Sequence, residues 1–210
     1  MKDARFAKFV VLVNGFVPLA LLGWDFWRGA VGPNPKEYVL RTTGMLALVF
    51  LLLSLCVTPL RRLSGYNALS HFRRMLGLYA FFYGLVHLSF WFAVDRAMDF
   101  AAAWDDIQER SFILIGMATL VMMVPLAVTS TNAMVKRMGA QKWKQLHRLA
   151  YVAGVGGVIH YCNVGKVLTR LPMGFIGALV LLLGYRVVMG VRDYAKRARL
   201  ARSKGIEVVR

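Results

Sequence analysis

Hydrophobic and polar positions along this chain fall in blocks, with long uncharged runs separated by short basic clusters. A helix that crosses a bilayer needs about 20 mostly apolar residues. Six windows approach that length: Phe9–Trp27, Thr42–Leu60, Met75–Val94, Ser111–Val128, Leu146–Val164 and Leu171–Gly190. The fifth is the least apolar, because it carries glycines and histidines. The pattern predicts an all-α integral membrane bundle of six transmembrane helices. Residues 1–210 read as a single domain, with no repeat or long linker, ending in a basic helical tail over 191–210 near the membrane surface. Gly29, Gly32, Pro33 and Pro35 separate the first helix from the second. The acidic stretch "DRAMDFAAAWDDIQER" is expected to be a solvated outer loop with a short interfacial helix. The first window does not read as a signal peptide: it is long, contains Asn14, Pro18 and Asp25, and lacks a small-residue cleavage site.

Composition strengthens the membrane reading. Hydrophobic residues make up 58% of the chain and mean hydropathy is +0.54, too apolar for an ordinary soluble domain. The net charge of +17 raises the question of nucleic acid, and its placement answers it. With six spans, 20 of the 27 basic residues fall on one side: Lys2 to Lys8, Arg61 to Arg74, Lys136 to Arg148, and Arg186 to Arg210. The opposite side holds seven of the ten acids, including Asp25, Glu37 and the cluster from Asp95 to Glu109. Positive loops mark the cytoplasmic face, so both termini are expected to be cytoplasmic. Orientation and anionic headgroups account for the excess, and no nucleic acid partner is implied. Cys56 and Cys162 fall on opposite leaflets and read as packing residues. No CxxCH occurs, which argues against covalently attached haem.

The candidate chemistry lies in the histidines, since an ionisable residue within a span is costly and usually faces the bundle interior. His87 lies thirteen residues beyond Arg74, and His160 thirteen beyond His147. At helical rise each step is about 20 Å, which puts His87 and His160 at one depth in the outer half. Two facing imidazoles are what a six-coordinate b-type haem requires, within a dry slot between helices. Gly154, Gly156 and Gly157 are open to two roles, admitting a flat macrocycle or close helix packing. The inner end is less defined. A separation of thirteen leaves His147 about 140° out of phase with His160, so either the helix is distorted or His147 precedes it. Arg73 lies within about 40° of the His87 face, whereas His71 points elsewhere, as a loop residue would. Arg73 can anchor the topology, hold an anionic cofactor group, or both. No Walker A, GxGxxG, HExxH or CxxC spacing is present.

The segments "FRRMLGLYAFFYGLVHLSFW", "LAVTSTNAMVKRMGAQKWKQLHRLAYV", "VIHY" and "GPNPKEYVLRTTG" resemble one known family. It is the MsrQ (YedZ) family of haem-binding membrane subunits of the periplasmic protein-methionine-sulfoxide reductase system, within the ferric-reductase-like transmembrane group. The resemblance covers nearly the whole chain. It implies a multi-pass protein of the bacterial inner membrane holding one or two b-type haems and associated with FMN. Its donor would be quinol or a cytoplasmic flavin reductase. Its acceptor would be a periplasmic molybdopterin-containing reductase that repairs oxidised methionine. The family's histidines carry over to His87, His147 and His160. Ferric reductases and NADPH oxidases carry histidine pairs on both helices, and here Arg73 takes the fourth place by spacing. Those relatives also carry a flavin and nicotinamide domain, which is not found in this sequence.

Two other readings stand beside this one: a self-contained ferric or quinone reductase, and a small transporter or anchor whose histidines bind protons or substrate. The charge pattern itself generates a test of topology. A reporter fused after Arg210 is expected to be active only as a cytoplasmic reporter, and periplasmic activity there would contradict six crossings.

Overall fold

The computed structural model describes residues 2–164 and 170–203. Lys166 and the end of the expected tail, 204–210, lie outside the described residues. Among those described, the secondary structure is helical throughout, with no strand. Helices α1 (Lys2–Asn14) and α2 (Val17–Trp27) share the first apolar window, and α3 (Pro35–Ser64) and α4 (Ser70–Phe90) take the second and third. A short helix, α5 (Phe100–Glu109), leads to α6 (Ser111–Val128). Two short helices, α7 (Asn132–Met138) and α8 (Ala140–Leu146), precede α9 (Leu149–Val164) and α10 (Arg170–Ser203).

Five stretches among the described residues are long and apolar enough to cross a membrane: Phe6–Trp27, Pro35–Ser64, Asn67–Asp95, Ser111–Val128 and Arg170–Ala201. The remaining window is the short one. Its helix breaks at His147 and Arg148, leaving α9 with 16 residues.

Four helices close into a ring. The most extensive packing is of α3 on α4 and of α6 on α9, and α3 also meets α9 while α4 meets α6. In that arrangement α4 and α9 stand diagonally opposite. Outside the ring, α10 flanks α3 and α9, α1 lies on α4, and α2 on α3. Leu48, Leu52, Leu55, Val158 and Leu179 form one buried cluster, and Leu51, Ala80, Met123 and Ala153 another. The glycines of α9 serve helix packing. A Cβ at Gly154 would lie 3.2 Å from Leu55, one at Gly157 3.3 Å from Leu48, and one at Gly156 2.3 Å from the Thr119 hydroxyl. Side chains of neighbouring helices close off all three positions.

The start of α3 is written locally. Gly29 and Gly32 take φ of +70° and +76°, Asn34 caps the helix by accepting from the Glu37 amide, and Pro35 occupies the first turn, where no amide partner is lost. Pro59 then leaves the Leu55 carbonyl without its usual donor four residues on. The Arg186 guanidinium of α10 donates to that carbonyl at 2.7 Å and to the Tyr151 hydroxyl, and lies over the Tyr151 ring. A second break separates α1 from α2. There the Phe16 amide turns to Val13, which leaves the Leu12 carbonyl unpaired by the helix. Tyr79 donates its hydroxyl to Leu12, and Tyr83 donates to Gly15 at 2.8 Å.

One expectation needs correction. The outer acidic segment is not simply solvated, because Asp106 is buried and paired with Arg96 at 2.9 Å and Arg110 at 3.2 Å. A carboxylate gathered between two guanidiniums can be buried where a lone one cannot. The basic tail, read from the sequence as a helical extension, is helical as far as it is described. It continues α10 without a break to Ser203, held to α3 by Arg62 and Asp193 at 3.0 Å.

Tyr83 is fully buried and stacks on Phe50, with centroids 5.3 Å apart. Tyr83→Phe keeps that stack but strips the donor from the Gly15 carbonyl. The expected cost is about 1–3 kcal/mol, the usual penalty for an unsatisfied buried group. Unfolding in detergent measures it, and wild-type stability would show that the Gly15 carbonyl finds another donor.

Candidate cofactor site

His87 lies in the last turn of α4 and His160 near the end of α9, so the diagonal of the ring brings them together. Their ring centroids are 6.2 Å apart and their planes are nearly perpendicular, at 80°. Each ring is fixed by a neighbouring backbone. His87 Nδ1 lies 3.0 Å from the Leu40 carbonyl of α3, and His160 Nδ1 lies 2.6 Å from the Phe112 carbonyl of α6. A carbonyl only accepts, so in these contacts each Nδ1 carries the proton and each Nε2 keeps its lone pair. Leu40 and Phe112 both lie near the starts of their helices, which enter the ring from the same end. The two imidazoles therefore share a level.

The donor set can be tested against haem. A metal–imidazole bond is about 2 Å and a ring nitrogen lies about 1.1 Å from its centroid, so a metal centred between two imidazoles sets them about 6 Å apart. The observed spacing fits. A tetrahedral zinc site fits less well: among the described residues no group of three or more His, Cys, Asp or Glu is placed to hold a metal. A Nδ1–H bonded to a carbonyl is also the usual outer support of a metal-ligating histidine.

At the other end of the ring, His147 caps α8 and precedes α9, which removes the phase conflict read from the spacing. Its ring stacks on Trp143 with centroids 3.8 Å apart, and its Nδ1 lies 3.1 Å from the Trp143 carbonyl. Its Nε2 is buried and makes no hydrogen bond of good geometry. The same ring borders a small cavity lined also by Arg73, Arg74, Ser54, Gly77 and Ser130. Arg74 reaches the Ser130 carbonyl at 3.5 Å, while among the described residues the Arg73 guanidinium takes no hydrogen bond or ion pair. His71 is exposed and bonds locally to the Ala68 carbonyl at 3.0 Å, away from both sites.

The four residues singled out by spacing thus fall into two pairs, His87 with His160 and His147 with Arg73. Reading the sequence missed Leu40, Gly44, Phe112 and Gly116, which surround the outer imidazoles. The available signal was a lone glycine inside each apolar window, a mark of close approach that does not say what approaches.

A membrane helix ring that brings two imidazoles to one level is an arrangement that could hold a metal-centred cofactor. The profile of the family described as "Ferric reductase like transmembrane component" matches residues 43–158, which include most of α3, all of α4 and α6, and most of α9. A protein-methionine-sulfoxide reductase heme-binding subunit MsrQ from Ralstonia nicotianae is 46% identical over 189 residues, covering 89% of this chain and 86% of that protein. The protein of the same name from Rhodospirillum rubrum is 45% identical over 193 residues, covering 91% of this chain and 93% of its own. One from Xanthomonas euvesicatoria is 40% identical over 187 residues, covering 86% and 85%. The chain belongs to the ferric-reductase-like transmembrane family, in the branch that these MsrQ proteins represent. It is a multi-pass membrane protein.

Proposed function

We propose that this chain is the haem-binding, electron-transfer subunit of a methionine sulfoxide reductase system in the bacterial inner membrane. The observation that carries the reading is the His87–His160 pair, with both Nδ1 atoms engaged by carbonyls and both Nε2 atoms left for a metal. The names of the relatives support it, since each is called a heme-binding subunit of that reductase. In this reading α9 makes the sixth crossing and both termini are cytoplasmic, which the charge pattern favours. Residues 1–210 form one transmembrane unit.

Haem b supplies reversible one-electron chemistry when bound. The residues of this chain do the rest. His87 and His160 would hold the iron through Nε2, with the Leu40 and Phe112 carbonyls setting ring orientation. Apolar side chains of the ring keep water away. At the inner end Arg73 is suited to a propionate or a flavin phosphate, because its planar fork can donate two parallel hydrogen bonds. It offers no lone pair to a metal, so His147 is the metal-binding candidate there and its partner stays open. That cavity is also where FMN or a second haem would be expected. Reducing equivalents would arrive from quinol or a cytoplasmic flavin reductase on the basic side. A periplasmic molybdopterin-containing reductase would accept them on the other side and carry out the repair. The family description supports a second reading, a self-contained ferric or quinone reductase of the same bundle. Electron delivery assayed with and without the periplasmic partner separates the two.

His87→Ala or His160→Ala is expected to remove most of the low-spin haem absorbance while the protein still inserts, because the spans remain apolar enough to partition. A wild-type spectrum in both variants would rule out this pair as ligands. His147→Ala is expected to slow reduction while the outer haem stays bound, and Arg73→Ala to weaken cofactor retention. Haem content and reduction rate measured on each variant decide this. Full content and full turnover in His147→Ala would make His147 a boundary residue only.

A further inference from the structure

The two histidines are seated in the same way on two different helices. His87 meets the Leu40 carbonyl, and one turn later on α3 stands Gly44. His160 meets the Phe112 carbonyl, and one turn later on α6 stands Gly116. A Cβ built on Gly44 would lie 3.1 Å from His87 Cε1 and Nδ1, and one on Gly116 would lie 2.8 Å from His160 Cε1 and Nδ1. Both rings therefore rest flush on a bare stretch of backbone. The carbonyl keeps its helical role, because a carbonyl oxygen has two lone pairs and the imidazole uses the second. Any side chain at the glycine would push the ring away from that oxygen. Thr43 adds to the first seat. Its hydroxyl donates to the Val39 carbonyl at 2.7 Å, and its oxygen stands 3.4 Å from His87 Nδ1, free to accept from the same proton.

We infer that Gly44 and Gly116 are positioning residues, a matched pair of backbone seats that lock His87 and His160 in the Nδ1–H tautomer and turn both Nε2 atoms toward one metal. The inference rests on the proposed haem function for its purpose, but not for its geometry. A glycine inside a helix costs about 1 kcal/mol relative to alanine. Packing alone would accept that cost anywhere along the ring. Here it falls at the two places where a ligand ring must lie within reach of a carbonyl.

The test has two arms. In the haem-free wild-type protein in nanodiscs, nitrogen-15 NMR of labelled imidazoles is expected to report the Nδ1–H tautomer for both His87 and His160. An Nε2–H tautomer, or rapid exchange, at either residue would overturn the inference without any variant. In the haem-loaded protein, Gly44→Ala and Gly116→Ala are expected to retain haem but shift and broaden the low-spin electron paramagnetic resonance signal. Gly154→Ala serves as the control, since its Cβ would crowd Leu55 at 3.2 Å and touches neither histidine. An unchanged signal in the first two variants, or the same change in the control, would reduce the glycines to packing residues. If the wild type takes up no haem, the proposed function fails, while the tautomer measurement still decides the seats.

Discussion

In hydrocarbon a polar group has no water to fall back on, and in this chain the carbonyls of neighbouring helices take that place. His87 and His160 are held by Leu40 and Phe112, Arg186 by Leu55, and Tyr79 and Tyr83 by Leu12 and Gly15. Some of these carbonyls are free for an identifiable reason. Pro59 withholds the amide that Leu55 would have used, and the break between α1 and α2 leaves Leu12 without its usual donor. Polar side chains thus tie the helices together where apolar packing against lipid-like neighbours offers little selectivity.

The two ends of the ring are built on different principles. At the end that holds His87 and His160 the imidazoles are locked by acceptors, so each presents a lone pair in a defined direction. At the other end His147 is held by stacking on Trp143, and the guanidiniums of Arg73 and Arg74 border a cavity. The first arrangement suits a fixed metal, and the second an anionic group that the arginines can meet with hydrogen bonds. Both ends lie within the part of the chain that matches the family profile, residues 43–158, apart from Leu40 just before it and His160 just beyond it.

Much of this was legible in the sequence because it depends on counting. Apolar blocks mark the five stretches long and apolar enough to cross a membrane, and equal steps of thirteen residues put His87 and His160 at one level. What was not legible depends on which helix faces which. The diagonal of the ring decides that His87 meets His160, and no local pattern encodes it. Gly44 and Gly116 looked like any helical glycine, since the ring that fills each gap comes from 43 and 44 residues further along the chain. The burial of Asp106 was hidden because, beside its i,i+4 partner Arg110, it needs Arg96 folded back onto it. The phase conflict at His147 did announce a break, and the helix ends there.

The central claim is that one metal sits between His87 and His160. Low-temperature electron paramagnetic resonance of the purified, oxidised wild-type protein, with near-infrared magnetic circular dichroism on the same sample, tests it most directly. The expected result is a low-spin ferric haem with the charge-transfer band of two neutral imidazole ligands. A high-spin signal, a histidine–methionine or thiolate signature, or no haem at all would contradict it.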